Sequence, residues 1–131
     1  MFLLDTNVCI ELLNGRNPAL IERFRSQRPV DLGLSSIVRA ELLWGARRSR
    51  RVDTNLQRIA VFAAPLRTVP FDDLCAGHYG SIRADLASRG TPIGHNDLLI
   101  AASARAHDAV LVTRNLAEFR RVAGLRTEDW P

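Results

Sequence analysis

The chain begins with the stretch Phe2-Leu3-Leu4-Asp5-Thr6-Asn7, which carries the first evidence for its fold. Its three apolar residues form a run too short for a helix and predict a buried strand. Asp5–Asn7 are residue types that favour a helix start, and the apolar run Val8–Leu13 that follows ends at Gly15. We therefore predict a strand that passes directly into a helix, with an aspartate at the junction.

The same alternation of strands and helices continues along the chain. Further strands are predicted at 32–34, 66–71 and 109–112, and helices at 18–28, 36–48, 52–64, 72–89, 97–106 and 115–121. His95 or Asn96 is expected to cap the helix 97–106. This order predicts an α/β protein, a three-layer α/β/α sandwich with a mainly parallel sheet, and the length of 131 residues predicts one domain, residues 1–131.

Composition excludes several classes of protein. With 47% hydrophobic and 24% charged residues the chain is typical of a globular protein, and no apolar run approaches the length of a membrane span. The first residues lack the basic and apolar regions of a signal peptide. Cys9 and Cys75 both lie in apolar helical patterns, which is typical of reduced, buried thiols. We therefore expect a cytoplasmic protein, with no contact to a membrane.

All 18 basic residues are arginines, and they give a net charge of +4. Guanidinium groups suit bidentate phosphate contacts, which points to a nucleic-acid partner, whereas a GC-rich genome would also replace lysine by arginine throughout. The cluster Arg47–Arg51 has the same two interpretations, an RNA contact or a solvated face. Without lysine, Schiff-base and P-loop chemistry are excluded.

Three carboxylates are predicted on the packed sides of their elements. Asp5 ends an apolar strand, while Glu41 and Asp97 share helix faces with apolar residues. Each has a structural explanation, because Asp5 and Asp97 would serve as helix caps and Glu41 would pair with a buried arginine. One shared pocket explains all three more simply. Such an all-oxygen set suits Mg²⁺ or Mn²⁺, and such ions support hydrolysis of phosphodiesters.

Four segments of the sequence resemble the motifs of PIN-domain ribonucleases. They are Leu4–Val8, Ser36–Leu42, Pro92–Ala102 and Leu111–Asn115 with Glu118 and Phe119. Their order and spacing match over essentially the whole chain. The length of the chain and the residues of the motifs are most similar to those of the VapC toxins of toxin–antitoxin pairs. The resemblance implies a toxic Mg²⁺- or Mn²⁺-dependent endoribonuclease acting on transfer or ribosomal RNA. It also implies a homodimer and a VapB-type antitoxin whose tail covers the acidic pocket.

The resemblance also implies roles for individual residues. Asp5, Glu41 and Asp97 would be the catalytic carboxylates that bind metal. Thr6 and Thr113 would be polar supports that hold a carboxylate, a water or the substrate phosphate.

The fourth motif departs from the family. Many members carry an acid where this chain has Asn115, which offers a carbonyl oxygen but no charge. Glu118 lies on the same helical face and either supplies the missing carboxylate or is a solvated surface residue. This departure leaves an alternative function open, a PIN-like module that acts by binding RNA or antitoxin and cleaves poorly.

His95 and Trp44 each have more than one interpretation. His95 is either a proton donor or a loop histidine, and Trp44 would stack on a base or belong to the core or a dimer contact. His78 and His107 have no metal-ligand spacing to a cysteine along the sequence, so we expect no zinc site.

Overall fold

Five parallel strands form the centre of the protein, in the spatial order β3-β2-β1-β4-β5. This computed structural model describes residues 1–131. The strands are β1 (Phe2–Leu4), β2 (Leu32–Ser35), β3 (Arg67–Val69), β4 (Val110–Val112) and β5 (Arg126–Glu128). The first strand is central, with β2 on one side and β4 on the other. The parallel sheet predicted from the alternating pattern is confirmed.

Helices connect every pair of consecutive strands. They are α1 (Thr6–Asn14), α2 (Pro18–Arg25), α3 (Ser36–Arg47), α4 (Val52–Ala63), α5 (Asp73–Ser88), α6 (His95–Ala106) and α7 (Leu116–Phe119). Right-handed crossovers place α1–α4 on one face of the sheet and α5–α7 on the other. Accordingly, α1 packs on α3 and α4, and α5 packs on α6. The predicted three-layer α/β/α arrangement is thus confirmed, and no helix is both long and apolar enough to cross a membrane.

The core lies on both faces of the sheet, which is why the strands read as continuous apolar runs. Leu4, Leu34 and Leu111 are completely buried. Gly33 fits a crowded point in the sheet, because a Cβ atom there would lie only 3.1 Å from Leu3 Cδ2 and 3.2 Å from the carbonyl oxygen of Arg67. Both cysteines are free and buried, as predicted.

Two predicted helix boundaries are wrong. The second helix ends at Arg25 and not near Arg28, because Pro29 holds the preceding residue in an extended conformation. Helix α6 begins at His95, and its N-cap is Gly94, which has no side chain to cap with. Neither His95 nor Asn96 is therefore the cap, and Asp97 lies inside the first turn.

The strand β5 was not predicted, because its sequence, Arg126–Glu128, contains no apolar run. It lies at the edge of the sheet, where charged side chains are tolerated and discourage further strand pairing. The residues after it are fixed by Trp130, which is 2% exposed and meets Phe2 edge-to-face with ring centroids 5.3 Å apart. The chain's last residues are thereby folded back onto the first strand.

Candidate active site

A cleft at the carboxyl ends of the central strands contains only polar residues. It has a volume of about 120 Å³, and its lining residues are Asp5, Thr6, Asn7, Glu41, Asp97 and Asn115. The aspartate directly follows β1, Glu41 comes from the middle of α3, and Asp97 from the first turn of α6. Parallel α/β sheets bind ligands at this edge. The three carboxylates singled out in the sequence therefore converge, although they lie on three separate elements.

Asp5 is held on both carboxylate oxygens. Its Oδ1 accepts a hydrogen bond from the Thr6 backbone N–H at 2.8 Å, and its Oδ2 accepts from Thr113 Oγ1 at 2.7 Å. The residue is 6% exposed and Thr113 is completely buried. The capping interpretation and the site interpretation are thus compatible, since Asp5 stabilises the start of α1 and still borders the cleft.

Glu41 is half-buried and faces the cleft without a basic partner. Its Oε1 accepts a hydrogen bond from Thr6 Oγ1 at 2.9 Å. The ion pairs of the protein involve neither Glu41 nor Asp5 nor Asp97, so the expected alternative of a buried arginine partner is wrong. The negative charge of the cleft is therefore not balanced by the protein.

The unbalanced negative charge of the cleft changes the pKa of Asp97. Burial, a hydrogen bond with Glu118 and the charges of Asp5, Glu118 and Glu41 together raise the pKa of Asp97 from 3.8 to about 7. Every one of these causes disfavours the ionised carboxylate. A divalent cation in the cleft would reverse the effect, because it would compensate the charges that now repel one another.

The fourth motif residue acts as a bridge between two carboxylates. The Asn115 Nδ2 group donates to Glu118 Oε2 at 2.9 Å and lies 3.5 Å from Asp97 Oδ2. Its backbone N–H donates to Thr113 Oγ1 at 3.0 Å, so the threonine orients Asp5 and Asn115 together. Glu118 is half-buried, and because its carboxylate is held by Asn115 on the side of Asp97, it is not a freely solvated surface residue.

Two features of the site were not recognised in the sequence. Asn7 lines the cleft, and its only signal is its place two residues after Asp5. Arg114 fixes the loop between β4 and α7, since its guanidinium donates to Glu11 Oε2 at 2.8 Å and to Asp129 Oδ1 at 2.6 Å. These contacts lower the pKa of Glu11 and raise that of Arg114. Neither partner is near Arg114 in the sequence.

The remaining candidate residues do not line the acidic cleft. His95 is exposed, and its ring lies edge-on to Tyr79 with centroids 6.2 Å apart. Trp44 is 62% exposed beneath the guanidinium of Arg48, so its assignment to the core is wrong. The arginines of the cluster Arg47–Arg51 are exposed and form no ion pairs. This cluster leaves its positive charge free for a polyanion.

An apolar cleft adjoins the acidic one and shares Glu41 with it. Its volume is about 240 Å³, and it lies between α1, α3 and α4, with Ile10, Leu13 and Ile59 among its lining residues. Ile10 is 43% exposed and Val61, on the outer side of α4, is 65% exposed. Exposed apolar side chains next to a polar site mark a surface suited to a protein partner.

Comparison with known proteins identifies the class to which this fold and site belong. The family described as PIN domain matches residues 2–125. The tRNA(fMet)-specific endonuclease VapC of Shigella flexneri is 40% identical over 129 residues, which cover 98% of this chain and 97% of that protein. The chain therefore belongs to the PIN-domain family, among its VapC-type ribonucleases, and it is an RNA-cleaving enzyme of the toxin class.

Solved structures agree with this assignment. The DNA-bound VapBC from Salmonella typhimurium is similar at a TM-score of 0.94 and 40% identity, covering 99% of this chain and 98% of that one. VapBC2 from Rickettsia felis, bound to a DNA fragment from its promoter, gives a TM-score of 0.93 at 34% identity, covering 99% and 98%.

Proposed function

We propose that the chain is a single PIN domain, residues 1–131, which hydrolyses RNA phosphodiester bonds with Mg²⁺ or Mn²⁺ held in the acidic cleft. The observation that carries this proposal is the meeting of Asp5, Glu41 and Asp97 in one cleft without an arginine partner. Carboxylate oxygens are the ligands that these hard cations prefer. The raised pKa of Asp97 supports the same interpretation, since unbalanced charge favours cation binding.

Asp5, Glu41 and Asp97 would hold the ion, and Glu118 would assist through Asp97. A divalent cation supplies a water of lowered pKa and stabilises charge on the phosphate oxygens. The chain's own residues orient this site: Thr6 and Thr113 hold their carboxylates by hydroxyl hydrogen bonds.

Asn115 keeps the Glu118 carboxylate next to Asp97. The neighbouring carboxylates raise the pKa of Asp97 to about 7, and a cation bound in the cleft would lower it again. The asparagine therefore does not leave a gap at the fourth position. This arrangement favours the enzyme over a module that only binds RNA.

We propose transfer RNA as the substrate class, because a relative with 40% identity is named a tRNA(fMet)-specific endonuclease; ribosomal RNA is the second candidate. The cluster Arg47–Arg51 would contact phosphates, and Trp44 is exposed enough to stack on a base. Replacing the four arginines of this cluster with glutamine would weaken RNA binding and reduce its salt dependence by about 0.7 in log–log slope for each lost contact with single-stranded RNA.

A small antitoxin is the proposed protein partner. Two similar solved structures are described as VapBC, and the apolar cleft beside Glu41 suits an apolar segment that continues over the acidic cleft. We also propose that two copies of the chain form a homodimer and that the protein acts in the cytoplasm. Light scattering of the purified chain would test the dimer.

The proposal is tested by expressing the wild-type chain and Asp5→Asn without antitoxin and sequencing all new RNA ends. We expect growth arrest with the wild type alone and new ends concentrated in one or a few transfer RNAs. Ends in ribosomal RNA would reject transfer RNA as the substrate. Equal arrest by both chains would contradict the catalytic role of the acidic cleft.

A further inference from the structure

A second group of metal-ligating side chains lies away from the acidic cleft. Asp72, Cys75 and His107 bring one ligand atom each to within 4.8 Å of one another. The histidine ends α6, ten residues after Asp97, which corresponds to about 15 Å along a helix. Because Cys75 and His107 are 32 positions apart, spacing along the chain did not reveal the group.

Each member of the group has a free coordinating atom or a weak contact. Asp72 caps α5, and its Oδ1 accepts from the Cys75 backbone N–H at 3.1 Å, which leaves Oδ2 available. The thiol of Cys75 is buried and donates to the carbonyl oxygen of Pro70 across a long distance of 3.6 Å. His107 Nε2 is buried and has no hydrogen-bond partner. A buried ring nitrogen without a partner costs free energy, which a metal ion would recover.

We propose that Asp72, Cys75 and His107 form a second metal site, selective for a thiolate-binding divalent cation of the zinc type. One sulfur, one nitrogen and one oxygen ligand suit Zn²⁺ in tetrahedral coordination, with water in the fourth position, whereas Mg²⁺ and Mn²⁺ prefer oxygen ligands alone. The three atoms would approach to roughly 3.3–3.7 Å around such an ion, a contraction that side-chain rotations supply.

Binding exchanges one set of contacts for another. The S–H group of Cys75 loses its proton to solvent, the hydrogen bond to Pro70 is given up, and a sulfur–metal bond replaces both. The ion would link the first turn of α5 to the end of α6, the helix whose other end carries Asp97. We therefore expect it to stabilise the protein and to leave the chemistry of the acidic cleft unchanged.

The test is a Co²⁺ titration of the chelator-treated chain, with excess Mg²⁺ present to occupy the acidic cleft. Thiolate ligation gives a sulfur-to-cobalt charge-transfer absorption band, which we expect to saturate at one Co²⁺ per chain and to disappear when Zn²⁺ is added. Cys75→Ser should lose the band. His107→Gln keeps the thiol and should weaken Co²⁺ binding by at least about tenfold, the smallest loss typical even of groups that only support a metal ligand.

His78→Gln is the matched control, because this histidine lies on α5 but accepts a hydrogen bond from Arg105 and is outside the group. The His78→Gln variant should show the same charge-transfer band and the same affinity for Co²⁺ as the wild type. No band in the wild-type chain, a band that survives in Cys75→Ser, or unchanged affinity in His107→Gln would overturn the proposal. Cleavage of RNA with Mg²⁺ alone should persist in the Cys75 and His107 variants, so the outcome is independent of the proposed function.

Discussion

Replacing Asp97 with asparagine should stabilise the metal-free protein at neutral and alkaline pH. The pKa of this carboxyl group is raised from 3.8 to about 7 in the folded chain. The full shift corresponds to about 4 kcal/mol. Because Asp97 is only half-buried, solvent screening reduces the expected gain in unfolding free energy to about 1–2 kcal/mol. This gain corresponds to a rise of about 3–8 °C in Tm for a chain of this size.

The sign follows from proton linkage. Between about pH 4 and pH 7 the folded chain binds a proton at Asp97 that the unfolded chain has released, so the stability of the wild type falls as pH rises through this window. The variant lacks this dependence. Its advantage should therefore be complete above pH 7 and should vanish near pH 4.

The assay is thermal unfolding in EDTA at pH 4.5 and pH 8, repeated with Mg²⁺. Asp53→Asn is the matched control, since Asp53 is an exposed acid in the first turn of α4 and its loss should cost about 0.3–1 kcal/mol. Mg²⁺ should stabilise the wild type and Asp53→Asn but not Asp97→Asn. An Asp97→Asn protein that is less stable than the wild type at pH 8 would refute the reasoning, because it would show that Asp97 serves the helix start.

Substitutions at three further positions test the residues that support the cleft. Thr113→Val leaves buried Asp5 short of a hydrogen bond and should cost about 1–3 kcal/mol in urea unfolding, whereas Thr113→Ser should retain both stability and cleavage. Arg114→Ala breaks the contact with Glu11 and should lower the urea midpoint and the rate of RNA cleavage; an unchanged rate would show that the loop does not need this clamp. Asn115→Asp adds a negative charge beside Asp97, so calorimetry should show tighter Mg²⁺ binding and unfolding should show a less stable metal-free protein; weaker Mg²⁺ binding would contradict the charge argument.

Local patterns were sufficient to predict most of the fold. Leu3, Leu34 and Leu111 belong to apolar runs that identify buried strands, and Ser35 is a helix cap both in the sequence pattern and in the structure. The edge strand β5 could not be found in this way, because its charged residues pair through the backbone. Gly94 was also missed as an N-cap, since it offers no side-chain signal.

The sequence predicted those site residues that are unusual among their own neighbours in the chain. It did not predict the roles of residues whose contacts are far away in the sequence. A carboxylate on an apolar helix face identified Glu41 and Asp97 without knowledge of the fold. The bridging role of Asn115 depends on two carboxylates that come together only in the folded chain. The same holds for Arg114, whose partner Glu11 is 103 residues away along the chain.

The most direct test of the central claim is cleavage of total cellular RNA by the purified chain in Mg²⁺, Mn²⁺ or EDTA, with Asp5→Ala alongside. The acidic cleft predicts discrete fragments that require both the divalent cation and Asp5. Fragments that persist in EDTA, or that Asp5→Ala produces as efficiently as the wild type, would contradict a metal-dependent nuclease centred on this cleft.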